Sequence, residues 1–336
     1  MNVRLAFTNQ GPICKALGSP FMGRLMPLIG ERLEPGTAVA DRILSWPGDT
    51  TASGDSVPLR LAGALHALKV EGKALVDVYP PNDVEDKSLW AAIEAAFVSH
   101  ETQLMHWLDS PPQTNEVRRA AVLLPALAVV GKMFGGPVDL LELGTSAGLN
   151  LRFDHFRLNL PSGNGIGPHT SKVQITPEWQ GTVTSTDLPE VVMRKGVDLN
   201  PLDGKEPRDR LRLLAYLWPD QPGRLAATEA ALSISNRVSA HVDQGDAATW
   251  CAAQLTQTAK ERLTVLFHTV AWQYFPKATQ AHILDTLKQV TSPVVQIGME
   301  GDGGRGAAVT LTLWPEGRTH HLGRASFHGL WVDWGN

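Results

Sequence analysis

The chain has 336 residues, of which 43% are hydrophobic and 19% charged, and its 30 Lys and Arg residues against 34 Asp and Glu give a net charge of −4. This length suits about two domains, or one large domain with an insertion, and the composition excludes a disordered, collagen-like or coiled-coil chain. A mildly acidic chain lacks the broad positive field that non-specific binding to nucleic acid or anionic membranes requires, so we expect neither as a partner.

The cysteines, histidines and N-terminal segment favour a cytoplasmic protein that holds no metal. Cys14 and Cys251 lie far apart and form no CxxC or Cys/His pattern typical of zinc or a redox disulfide. His320 and His321 are adjacent, which would point them to opposite faces of a strand. The N-terminal segment lacks an apolar core followed by a small-residue cleavage site, and no apolar run reaches the ~18 residues of a membrane span.

The first 135 residues are predicted to form a helical region. Apolar residues recur at three- and four-residue spacing over residues 58–70 and 88–108, and a further helix is expected over 115–130. Breaks rich in Pro and Gly separate these segments. Because little in this region alternates as a strand does, we assign residues 1–135 to an N-terminal helical cap region.

Residues 136–336 are predicted to form an α/β domain. The apolar run VDLLELG (138–144) reads as a strand that leads through a Gly-rich turn into a helix, and residues 157–190 as an inserted loop and hairpin region. The later strands alternate with helices, which implies a mostly parallel sheet covered on both faces. The expected strands are 191–197, 238–242, 263–271 and 293–299, the expected helices 206–218, 223–238 and 277–290, and the expected antiparallel hairpin 307–314 with 319–325.

The turn after the first strand is the strongest local signal for a ligand site. Its pattern is E-x-G-x-S-x-G, which matches neither the dinucleotide G-x-G-x-x-G nor a P-loop. An acidic side chain before the turn would repel a pyrophosphate and suits an ammonium group, which favours an amino-acid-bearing nucleoside such as S-adenosylmethionine; a Gly-rich turn without a ligand is the alternative. The residues assigned to this cofactor are Glu142, Gly144, Ser146, Ala147, Gly148 and Asn150.

Two further acidic residues follow predicted strands. Asp198, in GVDLNP, suits a carboxylate that accepts hydrogen bonds from ribose hydroxyls, although it lies 50 residues after Gly148 and the usual offset is about 20. The insertion accounts for the difference, and a turn cap is the alternative. Asp246, in QGDA, either contacts the adenine amino group or caps the helix that follows.

These motifs, in this order, resemble those of the class I S-adenosylmethionine-dependent methyltransferases. Over nearly the whole chain, the sequence is more closely similar to the uncharacterised bacterial family called domain of unknown function 2332. The segments that match this family are GSPF (18–21), QTNEVRR (113–119), LLELGTSAGLNL (140–151), RKGVDLNPLD (194–203), WPDQ (218–221), FHTVAWQY (267–274) and HGLWVDW (328–334).

The resemblance implies a Rossmann-like, seven-stranded methyltransferase sheet that is mostly parallel, with an antiparallel C-terminal hairpin and the helical N-terminal region packed on it. It implies S-adenosylmethionine as cofactor and S-adenosylhomocysteine as product. The function expected on this basis is methyl transfer to a small molecule, whose identity and pathway the sequence leaves open together with the oligomeric state.

Residues outside the cofactor motifs suit the binding of a substrate. Gln113, Thr114, Asn115 and Arg118 combine amide, hydroxyl and guanidinium groups that suit a cofactor, a carboxylate or a phosphate; a helix cap with a solvated first turn is the alternative. Arg305, in the GDGGRG loop, would hold an anionic substrate, against the alternative of a plain flexible connection.

Three residues near the ends of the later strands are candidates for catalysis. His268 and Tyr274, in FHTVAWQY, lie at or beyond the end of a predicted strand, and Glu300 ends the next one. His268 is the first candidate for a general base because its unperturbed pKa is near neutrality, and Glu300 is the second. The alternative for a histidine in an apolar strand is a satisfied core residue.

Two other functions remain open from the sequence. A protein with the same cofactor pocket could act as a non-catalytic sensor or assembly partner that binds S-adenosylmethionine or a nucleotide. The string GTSAG also matches the nucleophile elbow G-x-S-x-G, with Ser146 as nucleophile. Its triad partners would be Asp246 or Asp285 and His320 or His328, but a largely helical N-terminal region speaks against such a hydrolase.

Overall fold

A computed structural model describes residues 2–256 and 261–335 of the chain. They divide into two units. The first comprises the residues up to Thr114 together with Glu206–Leu225, and the second comprises Asn115–Lys205 and the residues from Ala226 onward. The sequence predicts the boundary at 135/136. In the structure, residues 115–135 belong to the second unit with the sheet, and Glu206–Leu225 belongs to the first, helical unit.

The helices follow the predicted periodicity closely, with shifts of a few residues at their ends. The predicted helix over 88–108 is two helices, because His100 leaves the helical conformation between them. The helices are α1 (Val3–Ala16), α2 (Pro20–Arg32), α3 (Ala38–Leu44), α4 (Val57–Val70), α5 (Asp86–Ser99), α6 (Glu101–Leu108), α7 (Ala120–Phe134), α8 (Pro207–Ala215), α9 (Pro222–Ser235), α10 (Ala247–Leu255) and α11 (Lys277–Lys288). No helix of the described residues is both long and apolar enough to cross a membrane.

The first unit is helical, and two segments singled out from the sequence bind each other within it. Ser19 caps α2, and its hydroxyl donates a 2.5 Å hydrogen bond to Asp220 Oδ1. The backbone N–H of Phe21 donates to Asp220 Oδ2 at 2.9 Å, and Gln221 Nε2 donates to the Gly18 carbonyl at 2.9 Å. GSPF and WPDQ therefore form one structural link between the α1–α2 turn and the segment after α8.

The second unit is built on one large sheet. Its strands are β1 (Val138–Leu143), β2 (Arg157–Asn159), β3 (Gly165–Ile166), β4 (Gln174–Ile175), β5 (Glu178–Gly181), β6 (Val191–Asp198), β7 (His241–Gln244), β8 (Leu263–Thr269), β9 (Val294–Gly301), β10 (Ala307–Trp314), β11 (Arg318–Ala325) and β12 (Trp331–Trp334). Strands β2, β3 and β4 form a small separate sheet within the insertion. The other nine strands form the large sheet, in the order β5-β12-β11-β10-β9-β8-β1-β6-β7.

The mixed α/β class and the mostly parallel sheet are confirmed, and the number of strands is larger than predicted. Strands β7, β6, β1, β8 and β9 are parallel neighbours, and β10 and β11 form the predicted antiparallel hairpin. The sheet has nine strands rather than seven because β12 pairs with β11, and β5, contributed by the insertion, pairs with β12. The insertion thus completes the far edge of the sheet.

The helix predicted directly after the Gly-rich turn is not an α-helix. Residues Asn150–His155 form short 3₁₀ turns interrupted at Arg152, whose φ of −116° and ψ of 20° lie outside the helical region. The Arg152 guanidinium donates to the carbonyl of Gly148 at 2.5 Å and to that of Val238 at 2.9 Å. These contacts hold Arg152 in place at the turn, and local periodicity does not reveal them.

Removal of the Asp220 carboxylate is expected to destabilise the protein. Asp220→Ala leaves the Ser19 hydroxyl and the Phe21 amide without their acceptor, and hydrogen bonds to charged groups contribute about 1.5–3 kcal/mol each. We expect a loss of about 2 kcal/mol in the free energy of unfolding, measured by urea denaturation. Asp77→Ala, at an exposed position, is the control. Equal unfolding midpoints for the two variants would contradict the link.

Candidate functional site

The candidate site lies at the carboxyl ends of β1, β6 and β8. In the sheet, β6 and then β7 lie on one side of β1, and β8 and then β9 lie on the other. The strand order therefore reverses between β1 and β8. Ligands of open α/β sheets bind at such a reversal, beyond the carboxyl ends of the strands. Gly144, which follows β1, has a φ of +70°, and a Cβ there would lie 2.6 Å from the Cβ of Ala271 after β8. Only glycine fits between these two loops.

Asp198 ties the loop after β1 to the end of β6. Its Oδ2 accepts a 2.8 Å hydrogen bond from the backbone N–H of Ser146, and its Oδ1 accepts one of 2.9 Å from that of Asn200. The N–H groups of Gly144 and Thr145 also donate to the Val197 carbonyl, at 2.9 and 3.1 Å. The two loops therefore form a single hydrogen-bonded rim around a half-buried carboxylate.

Glu142 is a buried carboxyl group beneath this rim. Only 2% of the residue is exposed, and the Thr145 hydroxyl donates a hydrogen bond to its Oε2. Burial raises the pKa of Glu142 from its ordinary value of 4.5 to about 8, and the nearby charge of Asp198 adds to this effect. The raised pKa favours the protonated form of Glu142 at neutral pH, although the charges of Arg119 and Arg152 act in the opposite direction.

The remaining predicted cofactor residues of the turn are buried. Ser146 has a φ of +53°, which is uncommon outside glycine, and its Oγ has no hydrogen-bond partner among the described residues. Ala147 is buried beside it. Asn150 donates from Nδ2 to the Glu116 carbonyl at 3.3 Å, and its Oδ1 has no partner within the described part of the chain. The turn thus carries two unpaired buried oxygens.

The segment QTNEVRR is divided between the two units. Gln113 and Thr114 belong to the first unit, and Asn115 and Arg118 to the second. Asn115 Oδ1 accepts a 2.8 Å hydrogen bond from the Leu149 N–H, so this side chain supports the Gly-rich turn. Arg118 donates from Nε to Glu116 Oε1 at 3.2 Å.

Arg119, which was not among the predicted site residues, connects its segment to FHTVAWQY and to the residue before HGLWVDW. Its Nη1 donates to the Thr269 carbonyl at 2.8 Å, and its Nε donates to the Phe327 carbonyl at 3.1 Å. It thereby joins the end of β8 to the C-terminal segment that precedes β12. No sequence signal distinguished it from the neighbouring Arg118.

Asp246 caps α10, which is the second of the two roles that the sequence allowed. Its Oδ1 accepts hydrogen bonds from the N–H groups of Ala248 and Thr249 at 3.1 and 2.9 Å, and from the Thr249 hydroxyl at 3.1 Å. These hydrogen bonds, led by the Thr249 amide, lower the pKa of the Asp246 carboxyl. A hydrogen bond with the Thr279 side chain contributes to the same lowering.

His268 and Glu300 are brought together across β8 and β9. His268 Nδ1 lies 2.8 Å from Glu300 Oε1, and the same oxygen accepts the N–H groups of Ala271 and Trp272 at 3.0 and 3.1 Å. Burial opposes ionisation of Glu300, but the hydrogen bond from His268, the charge of that imidazole when it is protonated, and the hydrogen bonds from the two amides together outweigh burial and lower the pKa of Glu300. The Trp272 ring stacks on His268 at 5.0 Å.

Gln296 and Trp314 complete this group and were missed by the sequence reasoning. Gln296 Nε2 lies 3.0 Å from His268 Nε2, and Gln296 Oε1 accepts the Trp314 indole N–H at 2.9 Å. A buried glutamine in the otherwise apolar strand PVVQIGM was the available signal. Both ring nitrogens of His268 thus have protein partners.

Two candidates lie on exposed surface. Tyr274 ends a 3₁₀ turn after β8 and is 72% exposed. The Arg305 side chain is 70% exposed; its guanidinium lies 4.0 Å from the Trp331 ring centroid and 3.3 Å from Asp333 Oδ2. The Arg305 side chain is therefore held against two residues of β12, Trp331 and Asp333.

The geometry defines an α/β protein with a candidate ligand site at the reversal of strand order. The chain belongs to the DUF2332 family, described as uncharacterised proteins conserved in bacteria, whose sequence profile matches residues 4–334. No curated protein matches the chain.

The contact between Gly144 and Ala271 predicts a marked cost for a side chain at 144. Gly144→Ala must adopt a positive φ, which costs roughly 1–2 kcal/mol, and must also displace Ala271. Gly303→Ala is the matched control, because Gly303 has a φ of +86° with nothing within 4 Å of its Cβ position. We expect Gly144→Ala to lose at least about 1 kcal/mol more than the control in urea denaturation. Equal losses would contradict the contact.

The raised pKa of Glu142 predicts that stability falls with rising pH. The folded state favours the protonated carboxyl, so this contribution is complete below about 4.5 and is lost as the pH rises towards 8. Glu142→Gln keeps an acceptor for Thr145 but does not titrate. Between about pH 5 and pH 8, wild type should lose more than about 1 kcal/mol relative to this variant. Parallel curves of unfolding free energy against pH would contradict the burial argument.

Proposed function

We propose that the protein is an S-adenosylmethionine-dependent methyltransferase that acts on a small molecule. The observation that carries this proposal is the rim formed by the loops after β1 and β6, with Glu142 and Asp198 beside the strand-order reversal. Carboxyl groups at the tips of two adjacent parallel strands suit a ligand with an ammonium group and a ribose. When bound, this cofactor supplies an electrophilic methyl group.

The residues of the turn fit such a ligand. Each Asp198 oxygen accepts one backbone N–H, which leaves lone pairs for ribose hydroxyls. The unpaired Ser146 Oγ and Asn150 Oδ1 suit the polar groups of the amino-acid end. Glu142 fits once an ammonium group lowers its pKa, so its ionisation and ligand binding are coupled. In this proposal Gly144, Ala147 and Gly148 provide the close backbone approach, and Asp246 contacts the adenine.

The substrate in this proposal lies on the β8–β9 side of the rim. Glu300 and His268 meet there, and Tyr274 follows the same strand. Within this unit, Arg305, Asn115 and Arg118 are proposed contributors to substrate binding. The protein's part is to hold the acceptor in line with the methyl group and to exclude water.

One feature supports the alternative function of a hydrolase with Ser146 as nucleophile, but no general base contacts this serine among the described residues. A nucleophile elbow needs a strained serine, and Ser146 has a positive φ. No histidine among the described residues is hydrogen-bonded to its Oγ. Of the candidate partners, Asp285 forms an exposed ion pair with Lys288, and His320 is exposed on β11. We therefore favour the methyltransferase.

Adenosyl ligands should stabilise the folded protein. A ligand at about 100 times its dissociation constant stabilises the native state by about 2.7 kcal/mol, which corresponds to several degrees in melting temperature for a chain of this size. We expect such a shift in thermal unfolding with S-adenosylmethionine and S-adenosylhomocysteine but not with NAD. Asp198→Asn should lose most of the shift, and Asp187→Asn, at an exposed position, should keep it.

The same titration tests the charge of Glu142. Affinity for S-adenosylhomocysteine, which carries the same ammonium group, should rise as the pH rises towards 8, because the carboxyl then ionises without help from the ligand. No shift with either adenosyl compound, in folded protein shown by mass spectrometry to carry no bound ligand, would reject the proposal.

A further inference from the structure

Glu300 presents one saturated and one unpaired oxygen. Its Oε1 accepts three N–H groups, from His268, Ala271 and Trp272. Its Oε2 is buried and has no hydrogen-bond partner among the described residues. The first oxygen is held by the protein, and the hydrogen-bonding capacity of the second is unused by the described residues.

The hydrogen-bond chain behind Glu300 assigns a neutral His268. The Trp314 indole can only donate, so Gln296 must present its oxygen to Trp314 and its amide N–H to His268. His268 Nε2 is then an acceptor, and the ring proton lies on Nδ1, where it is donated to Glu300. With this tautomer His268 orients Glu300 through a hydrogen bond from Nδ1 and supplies no counter-charge to it.

The arginines of the adjacent loop and strand do not supply that counter-charge. Arg324 is paired with Asp302, with an Nη2–Oδ1 distance of 2.6 Å, and Arg305 is paired with Asp333. Within the described residues, the ion pairs of Glu300 include no lysine or arginine. A cationic ligand at Oε2 would supply the positive charge that neither of these two arginines provides.

Backbone strain at the same place also indicates a functional site. Val270 has a φ of +51°, a strained conformation for a β-branched residue, and it precedes the two amides that bind Glu300. Its own N–H donates to the Met299 carbonyl at 2.8 Å, which fixes the turn to β9. The fold holds this strained turn so that Ala271 and Trp272 point at one carboxylate oxygen.

We infer that Glu300 Oε2 binds a cationic nitrogen of a ligand, of the alkylammonium or guanidinium class. That this cationic nitrogen belongs to the substrate rests on the proposed methyl transfer. That Glu300 binds a cation does not depend on that proposal. Glu300 is then a specificity-determining anchor, and His268, Gln296 and Trp314 are positioning residues. This differs from the general-base role that the sequence suggested for His268.

The test compares three four-carbon probes that differ in their head group. Wild-type protein without adenosyl ligands is titrated with butylammonium chloride, butan-1-ol and sodium butyrate at matched ionic strength, and binding is measured by thermal shift and calorimetry. We expect saturable binding of butylammonium alone. Glu300→Gln keeps an oxygen for the three N–H donors but places an NH₂ group towards the cation, so its affinity should fall at least about tenfold. Glu316→Gln, on the exposed β10–β11 turn, should bind as wild type does.

A crystal of the wild-type protein soaked in butylammonium chloride gives a second readout that needs no variant. The ammonium nitrogen should lie within hydrogen-bond distance of Glu300 Oε2. Equal binding of the three probes, retained affinity in Glu300→Gln, or an ammonium bound elsewhere would overturn the inference.

A parallel titration with S-adenosylhomocysteine separates this inference from the proposed function. Butylammonium binding without a response to S-adenosylhomocysteine would keep the cation site and reject methyl transfer. Binding of S-adenosylhomocysteine without butylammonium binding would reject the cation site and keep the proposed function.

Discussion

The hydrogen bond from the Ser146 N–H to Asp198 determines the form of the candidate site. The Gly-rich turn after β1 has no α-helix to anchor it, since only short 3₁₀ turns follow. A carboxylate from β6 takes the place of that anchor and fixes a strained serine at the reversal of strand order. The loops after β1 and β6 are therefore joined into one rim, and the buried Glu142 lies beneath it.

Two carboxyl groups in this unit have pKa values shifted in opposite directions for identifiable reasons. Glu142 is buried, receives a single hydroxyl hydrogen bond and lies near the negative Asp198, so its pKa is raised to about 8. Glu300 receives three N–H donors on one oxygen, and these, together with the charge of His268 when that imidazole is protonated, outweigh burial and lower its pKa. The surrounding donors and charges therefore set the direction of the shift in each case.

Within each unit, a few polar side chains connect the segments that carry the family resemblance. Asn115 supports the Gly-rich turn, and Arg119 joins the end of β8 to the C-terminal segment. In the helical unit, Asp220 and Gln221 hold the α1–α2 turn. Several of these motif residues thus have a structural role.

The sequence by itself determined the secondary structure of most of the chain and the location of the Gly-rich turn. Hydrophobic periodicity and glycine placement are local signals, so they predicted the strands around Glu142, Asp198 and Glu300 and the antiparallel hairpin. Only the tertiary structure decided the ninth strand, the 3₁₀ turns at Arg152, and the partners of His268. These depend on residues far apart in sequence: the insertion strand reaches β12, and Gln296 and Trp314 meet His268 across three neighbouring strands. Local pattern carries no information about such pairings, because side-chain hydrogen bonds and strand order are set by the packing of the whole sheet.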